Sequence, residues 1–289
     1  MLYQNANQGH KTLFLDGVLY LINDSSNELG QHYENKIIHD PIEVRDSIVL
    51  NKIKIPNIQY LFRIIPDRSV LMYDHLKPFL GEKLYRTYTD AVCQIDYTGD
   101  TYDNIIELCH KHRSPTCLPD NSHPNTLSQY AVYLNIIREL ELTEISYEVT
   151  FNGKTDYDLR EPLNNGNRPL SKISTWPIPA IKQLVENDFE RFQYDVMGWV
   201  KTSVEFTDFP IFKRYMDVYI NKKEINNLRV IIFHDSNMIY SNKEWYAQHF
   251  KETYFYWTTF NSMIVNYFKP DIVIEITMER FLATYRSMS

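Results

Sequence analysis

The sequence predicts an α/β fold with a central, mainly parallel sheet, and three observations carry that expectation. Short runs rich in β-branched and aromatic residues recur at 59–65, 147–151, 228–233, 252–257 and 271–276, and they read as buried strands. Helical patterns lie between them, so the C-terminal third runs strand, helix, strand, helix, strand. That alternation builds a parallel sheet covered by helices. Finally, the chain has 289 residues of which 44% are hydrophobic, enough to bury a sizeable core.

Taken in order, residues 12–22 form an apolar stretch broken by Asp16 and Gly17, which predicts a strand and turn. The run at 59–65 is the next strand. Leu127, Tyr130, Leu134, Ile137 and Leu140 fall at three- and four-residue spacing, so 127–142 is an amphipathic helix with Asn125 or Thr126 as its cap. A strand at 147–151 follows. Residues 158–179 are rich in Asn, Pro and Gly and read as a long loop, and 179–204 reads as helical. Together they predict an insertion or lid at about 158–215 within a single domain spanning 1–289. The strands at 228–233, 252–257 and 271–276 are then separated by helices at 244–250 and 260–268.

Composition excludes several classes of function. The formal charge is −7, so a basic stripe for nucleic acid is not expected. No apolar run approaches the length of a membrane-spanning helix. Cys93, Cys109 and Cys117 are too few and odd in number for a disulfide framework, which favours a reducing compartment. The N-terminus lacks a basic region followed by a sustained apolar run, so a cytoplasmic location is expected, or a periplasmic one if an export signal has been removed. Cys109, His110, His112, Cys117 and His123 lie close together, but their irregular spacing matches no usual zinc pattern, and no metal is expected. Nucleotide-binding glycine loops are also missing.

The strand at 228–233 ends abruptly in His234-Asp235-Ser236-Asn237. A serine there stands at the carboxyl edge of the sheet, where α/β folds bind ligands. It becomes a nucleophile when a base takes its proton and N–H groups hold the oxyanion; otherwise it caps a turn. His123, in the polar loop ahead of the 127–142 helix, is the candidate base, and the helix N-terminus favours its uncharged ring. Asp120 or Asn121 would orient that ring, as the third member of a triad does.

Three blocks in this order resemble the SGNH-hydrolase-like polysaccharide O-acetyltransferases, the type that acetylates alginate. They are Asn121-Ser-His123-Pro-Asn125-Thr-Leu-Ser-Gln-Tyr130-Ala-Val-Tyr133, the strand with His234-Asp235-Ser236-Asn237, and Lys269-Pro-Asp271-Ile-Val-Ile-Glu275-Ile-Thr-Met-Glu279-Arg280. Weaker echoes lie at 16–22 and 64–68. The resemblance implies a three-layer SGNH-like fold and an acetyl-serine mechanism with Ser236 as nucleophile and His123 as general base. The family's acid falls on Asn121, a departure that leaves Asp120 or the Asn121 amide to hold the ring. Asn237 would lend an N–H to the oxyanion or cap the following turn. Arg280 would bind substrate or pair with an acid such as Glu279 or Asp235, and Asp235 itself borders the site.

The function expected is therefore transfer of acetyl groups to a sugar hydroxyl of a bacterial cell-surface polysaccharide (capsule or exopolysaccharide) or its precursor. A carbohydrate acetyl esterase using the same residues, and a catalytically degenerate glycan-binding protein, are the alternatives. No cofactor is expected to be bound. The acetyl donor would be acetyl-CoA or a membrane protein that delivers acetyl groups, and the acceptor a polysaccharide or glycan precursor.

Overall fold

The computed structural model describes residues 2–4, 11–21, 27–119, 121–152, 174, 176–184, 188–194, 216–223, 226–239 and 243–286. Its strands are β1 (Leu2–Gln4), β2 (Lys11–Leu15), β3 (Val18–Leu21), β4 (Gln59–Ile65), β5 (Thr98–Asp100), β6 (Tyr147–Asn152), β7 (Ile178–Gln183), β8 (Phe189–Tyr194), β9 (Met216–Asn221), β10 (Arg229–His234), β11 (Glu252–Trp257) and β12 (Ile272–Met278). The α-helices are α1 (Glu28–Glu34), α2 (Pro41–Lys54), α3 (Arg68–Leu71), α4 (Tyr73–Leu80), α5 (Thr87–Val92), α6 (Tyr102–Lys111), α7 (Thr126–Glu139), α8 (Glu244–Ala247) and α9 (Ser262–Phe268).

Seven strands form the central sheet in the order β5-β4-β12-β10-β11-β9-β8. The first five run parallel, and β9 and β8 extend the far edge by antiparallel pairing. From β10 the chain moves to β11 on one side, then crosses back to β12 on the other. That reversal makes the carboxyl end of β10 a topological switch point, where open α/β sheets form their ligand crevices.

Both faces of this sheet are covered, which explains the continuous apolar runs in the sequence. In β10, Val230 and Ile232 enter one core with Ile105 of α6, Tyr130 of α7 and Trp245 of α8. Ile231 and Phe233 enter the opposite core with Ile48 of α2, Val92 of α5 and Val265 of α9. The result is three layers, helices over sheet over helices. Among the described residues no helix is long and apolar enough to cross a membrane.

Helix α7 begins where the sequence placed it, and Asn125 is its cap: the side-chain oxygen accepts the Ser128 N–H at 3.0 Å. It ends at Glu139, short of residue 142, where Glu141 takes a left-handed conformation (φ 55°). Helices α8 and α9 are also shorter than expected. Asn261 starts α9 by accepting the N–H groups of Met263 and Ile264.

Two expectations need correction. The strand at 147–151 is not a buried strand of the main sheet, because β6 pairs with β7 in a separate two-stranded ribbon. Tyr147 and Val149 lean on the core while Glu148 and Thr150 face solvent, an alternation fitting one covered face. Residues 179–204 are not a continuous helix either. Ile178–Gln183 pairs with β6 and Phe189–Tyr194 with β9. Backbone pairing to β6 and to β9 decides the conformation of these two segments. Most of the remaining 158–215 stretch, foreseen as an insertion or lid, lies outside the described residues.

Candidate active site

At the switch point β10 stops at His234, and Ser236–Ile239 winds into a short 3₁₀ turn. The Asp235 carboxylate builds that turn. One oxygen accepts the Asn237 N–H at 2.8 Å, and the other accepts the Met278 N–H at 2.6 Å and the Thr277 hydroxyl at 3.4 Å. Burial raises its pKa, and the two N–H bonds work against that rise. Asp235, expected beside the substrate, thus ties the serine turn to the end of β12. Ser236 itself is half-buried at the mouth of a cleft of about 310 Å³. Trp257, Thr258, Thr259, Thr277 and Phe281 contribute to its walls.

His123 reaches this serine from the loop that precedes α7. The loop is pinned on several sides. The Asn125 side chain donates to the Pro115 carbonyl, its backbone N–H donates to Thr116 at 3.0 Å, and Cys117 pairs with Pro124 as an isolated bridge. His123 is buried, with Nε2 3.3 Å from Ser236 Oγ. That spacing lies just beyond an ideal hydrogen bond and within the looseness seen before substrate binds. Nδ1 lies 3.1 Å from Ser122 Oγ. The Asn121 side-chain oxygen accepts the backbone N–H of His123 at 2.9 Å, and its carbonyl accepts from Arg68. Asp120 lies outside the described residues.

Two further polar groups border the serine. Asn237 is 1% exposed, and neither end of its side-chain amide meets a partner among the described residues. An unsatisfied buried amide is costly. His234 places Nδ1 2.7 Å from the Asp235 carbonyl oxygen, so Nδ1 carries the proton. Burial, together with the nearby Lys243 charge, pushes its pKa well below the ordinary value. It is a neutral second histidine beside the serine.

Behind the site lies a buried charge network. Arg280 sits 3.1 Å from Glu28 and 3.5 Å from Asp67, and Asp67 meets His32 Nε2 at 2.8 Å. The acids foreseen for Arg280 are engaged elsewhere: Glu279 accepts Arg86 through both oxygens, and Asp235 holds the serine turn. Burial alone would lower the His32 pKa, but Glu279 and Asp67 override it and hold the ring at about 9. Burial and Glu28 push Asp67 up to about 7 against the opposing pull of His32 and Arg280.

His32, Asp67 and Glu279 are close enough together to invite a metal. The donor set does not fit one. The protonated His32 ring gives Nδ1–H to the Tyr85 carbonyl and Nε2–H to Asp67, and Arg86 occupies both Glu279 oxygens. Three cations, with Arg86 also meeting Asp100, already offset the acids. Of the cysteines and histidines near 109–123, Cys109 and Cys117 are packed into the core and only His123 faces the serine. The sequence did not single out Ser122, His32 or Glu28. The echo at 64–68 held Asp67 and Arg68 without assigning them work.

No protein-family model and no curated protein matches the chain. Solved structures do. A DHHW family protein from Eubacterium siraeum aligns over 100% of this chain and 98% of its own, at 12% identity and a TM-score of 0.64. Bacillus cereus PatB1, solved with a sulfonyl adduct, aligns over 96% of this chain and 99% of its own, at 12% identity and a TM-score of 0.65. The O-acetyltransferase domain of Pseudomonas putida AlgJ, at 14% identity over 96% and 94% and a TM-score of 0.47, is too distant to bear on function. At these identities the likeness is one of fold, and it extends over nearly the whole chain.

Proposed function

We propose that the protein is an O-acetyltransferase that moves an acetyl group to a sugar hydroxyl of a bacterial surface polysaccharide or its precursor. The observation that carries this reading is His123 Nε2 at 3.3 Å from Ser236 Oγ, at the mouth of the cleft on the switch point. The ordered motif blocks and the fold shared with PatB1 support it.

Ser236 Oγ attacks the carbonyl carbon of the acetyl donor while His123 Nε2 takes the hydroxyl proton. The backbone N–H of Ser236 and the Asn237 amide hold the negative oxygen that develops. Collapse breaks the bond to the donor's leaving group, which receives the proton from His123. A sugar hydroxyl then attacks the acetyl-serine, His123 takes that proton in turn, and Ser236 regains it as the sugar acetate departs. The aromatic and threonine side chains along the cleft suit a sugar, which needs an apolar face and hydroxyl partners. Acetyl-CoA or an acetyl-delivering membrane protein would supply the donor, with a cytoplasmic location favouring the first.

The test is p-nitrophenyl acetate hydrolysis and mass mapping after treatment with a sulfonyl fluoride. Wild type should release p-nitrophenol and take the sulfonyl group on Ser236, and Ser236→Ala should do neither. Activity that survives in Ser236→Ala refutes the mechanism. Adding candidate sugars and measuring acetyl transfer against hydrolysis separates a transferase from an esterase.

A further inference from the structure

The cleft beside Ser236 has a polarity of its own. Three threonine hydroxyls line it, and each turns its proton toward the protein. Thr259 Oγ1 donates to the Arg286 carbonyl at 3.2 Å, Thr284 Oγ1 to the Phe281 carbonyl at 3.4 Å, and Thr277 Oγ1 to the Asp235 carboxylate at 3.4 Å. With its one proton so directed, a hydroxyl offers a ligand its lone pairs. Asp235 and Glu275 also line the cleft. Asp235 accepts the backbone N–H groups of Asn237 and Met278. Glu275 accepts the hydroxyls of Tyr60 at 2.7 Å and Tyr285 at 2.9 Å, and the Phe260 N–H at 2.9 Å. These partners are neutral, so the bonds leave the carboxylate charge in place. We propose that the cleft is an acceptor subsite for one neutral sugar residue, with Phe281 as its platform, and that it disfavours a uronate. The inference rests on the Ser236–His123 reading and deepens it.

A wall of acceptors selects a ligand that donates. Every free sugar hydroxyl brings one O–H to the threonine oxygens, whereas a carboxylate brings lone pairs alone. A carboxylate would also meet the like charges of Asp235 and Glu275 at reduced dielectric. Specificity of this kind comes from what the site repels as well as from what it binds. Volume sets the size of the guest. At about 310 Å³ the cleft lies at the small end of ligand pockets, which run from about 300 to 1,000 Å³. One sugar residue fills it, and the rest of a glycan chain runs outside.

The apolar part of the subsite comes from Phe281. It lines the cleft, is half-buried and packs against the core that holds α7. The Arg280 guanidinium lies 5.1 Å from the ring centroid and steadies it. Arg280 is itself charge-balanced by Glu28 and Asp67, so it does not turn the cleft into an anion site. Such a ring takes the C–H face of a pyranose while hydroxyls at the sugar's edge reach the threonines.

The experiment uses the full chain and pairs of methyl glycosides that differ only at C6, a hydroxymethyl group in one and a carboxylate in the other. The gluco, galacto and manno pairs are compared. Acetyl transfer from p-nitrophenyl acetate is followed by mass spectrometry, and binding to Ser236→Ala by calorimetry. At least one neutral member should be acetylated with a kcat/KM about tenfold or more above that of its uronate partner. It should bind Ser236→Ala with the same preference. Adding Phe281→Ala should raise the Kd of the neutral glycoside about tenfold, and Phe281→Tyr should restore it. Glu275→Gln, which removes a charge at equal size, should narrow the gap between partners. Equal or better use of the uronates overturns the proposal, as does an unchanged Kd in folded Phe281→Ala or no binding of any neutral member. Selective, Phe281-dependent binding with no acetyl transfer or ester hydrolysis in wild type would uphold the subsite while the acetyl-serine reading fails.

Discussion

Replacing Arg280 by methionine should destabilise the protein by about 3–5 kcal/mol, the usual cost of breaking a buried ion pair from one side. Arg280 is 3% exposed, with Nη1 3.1 Å from Glu28 and 3.5 Å from Asp67. At an effective dielectric near 20, two charges at such distances attract by about 5 kcal/mol, before the desolvation that offsets much of it. Methionine keeps most of the aliphatic stem, so the loss is chiefly electrostatic: two buried carboxylates remain, with His32 as the cation facing Asp67. Urea denaturation followed by tryptophan fluorescence reads this directly, as a lower midpoint at constant slope. The double variant Glu28→Met with Arg280→Met should recover part of the loss, since it removes both charges. Recovery will be incomplete because Glu28 also accepts the Ser69 N–H at 2.8 Å. A single variant within 1 kcal/mol of wild type, or a double variant no better than the single, would refute the reasoning. A stable variant with only a raised KM would instead return Arg280 to the substrate.

Three further outcomes are expected. The His32 pKa is held at about 9 in the folded chain against an ordinary 6.5, so its contribution is complete below pH 6.5 and lost as pH rises through 9. It amounts to about 3 kcal/mol, and thermal melts across that range should show a decline that His32→Gln flattens. Asn125→Ala removes the α7 cap and the bond to Pro115; it should cost about 1–2 kcal/mol in a thermal melt and lower esterase turnover by displacing His123. Asp235→Ala leaves the Asn237 and Met278 N–H groups without their acceptor, at about 1–3 kcal/mol for each buried group. It should abolish p-nitrophenyl acetate turnover even where circular dichroism shows a folded protein.

Much of the architecture was legible in the sequence because the relevant forces are local. An apolar run buried on both faces, as in Val230–Phe233, is a property of a few consecutive residues. The Asn125 cap and the period of α7 are equally local. The 179–204 stretch misled because its residues alone do not choose between helix and strand, and only the β6 and β9 backbones beside them select strands. Tyr147 and Val149 alternate with polar residues, so the single covered face of β6 was readable, but its separation from the main sheet was not. Ser122 was in plain view between Asn121 and His123. Its contact with Nδ1 depends on how the loop turns, which neighbouring identities do not encode.

By itself the sequence determined that a serine would stand at the end of a buried strand and a histidine in a polar loop before a capped helix. Tertiary structure alone decided that the two meet, 113 residues apart, at 3.3 Å. It also decided that Arg280 faces Glu28 and Asp67, residues from α1 and from the loop after β4. The reason is the range of the forces. Periodicity and capping act within one or two turns of chain, whereas these encounters depend on the order of strands in the sheet and on where each connection crosses it.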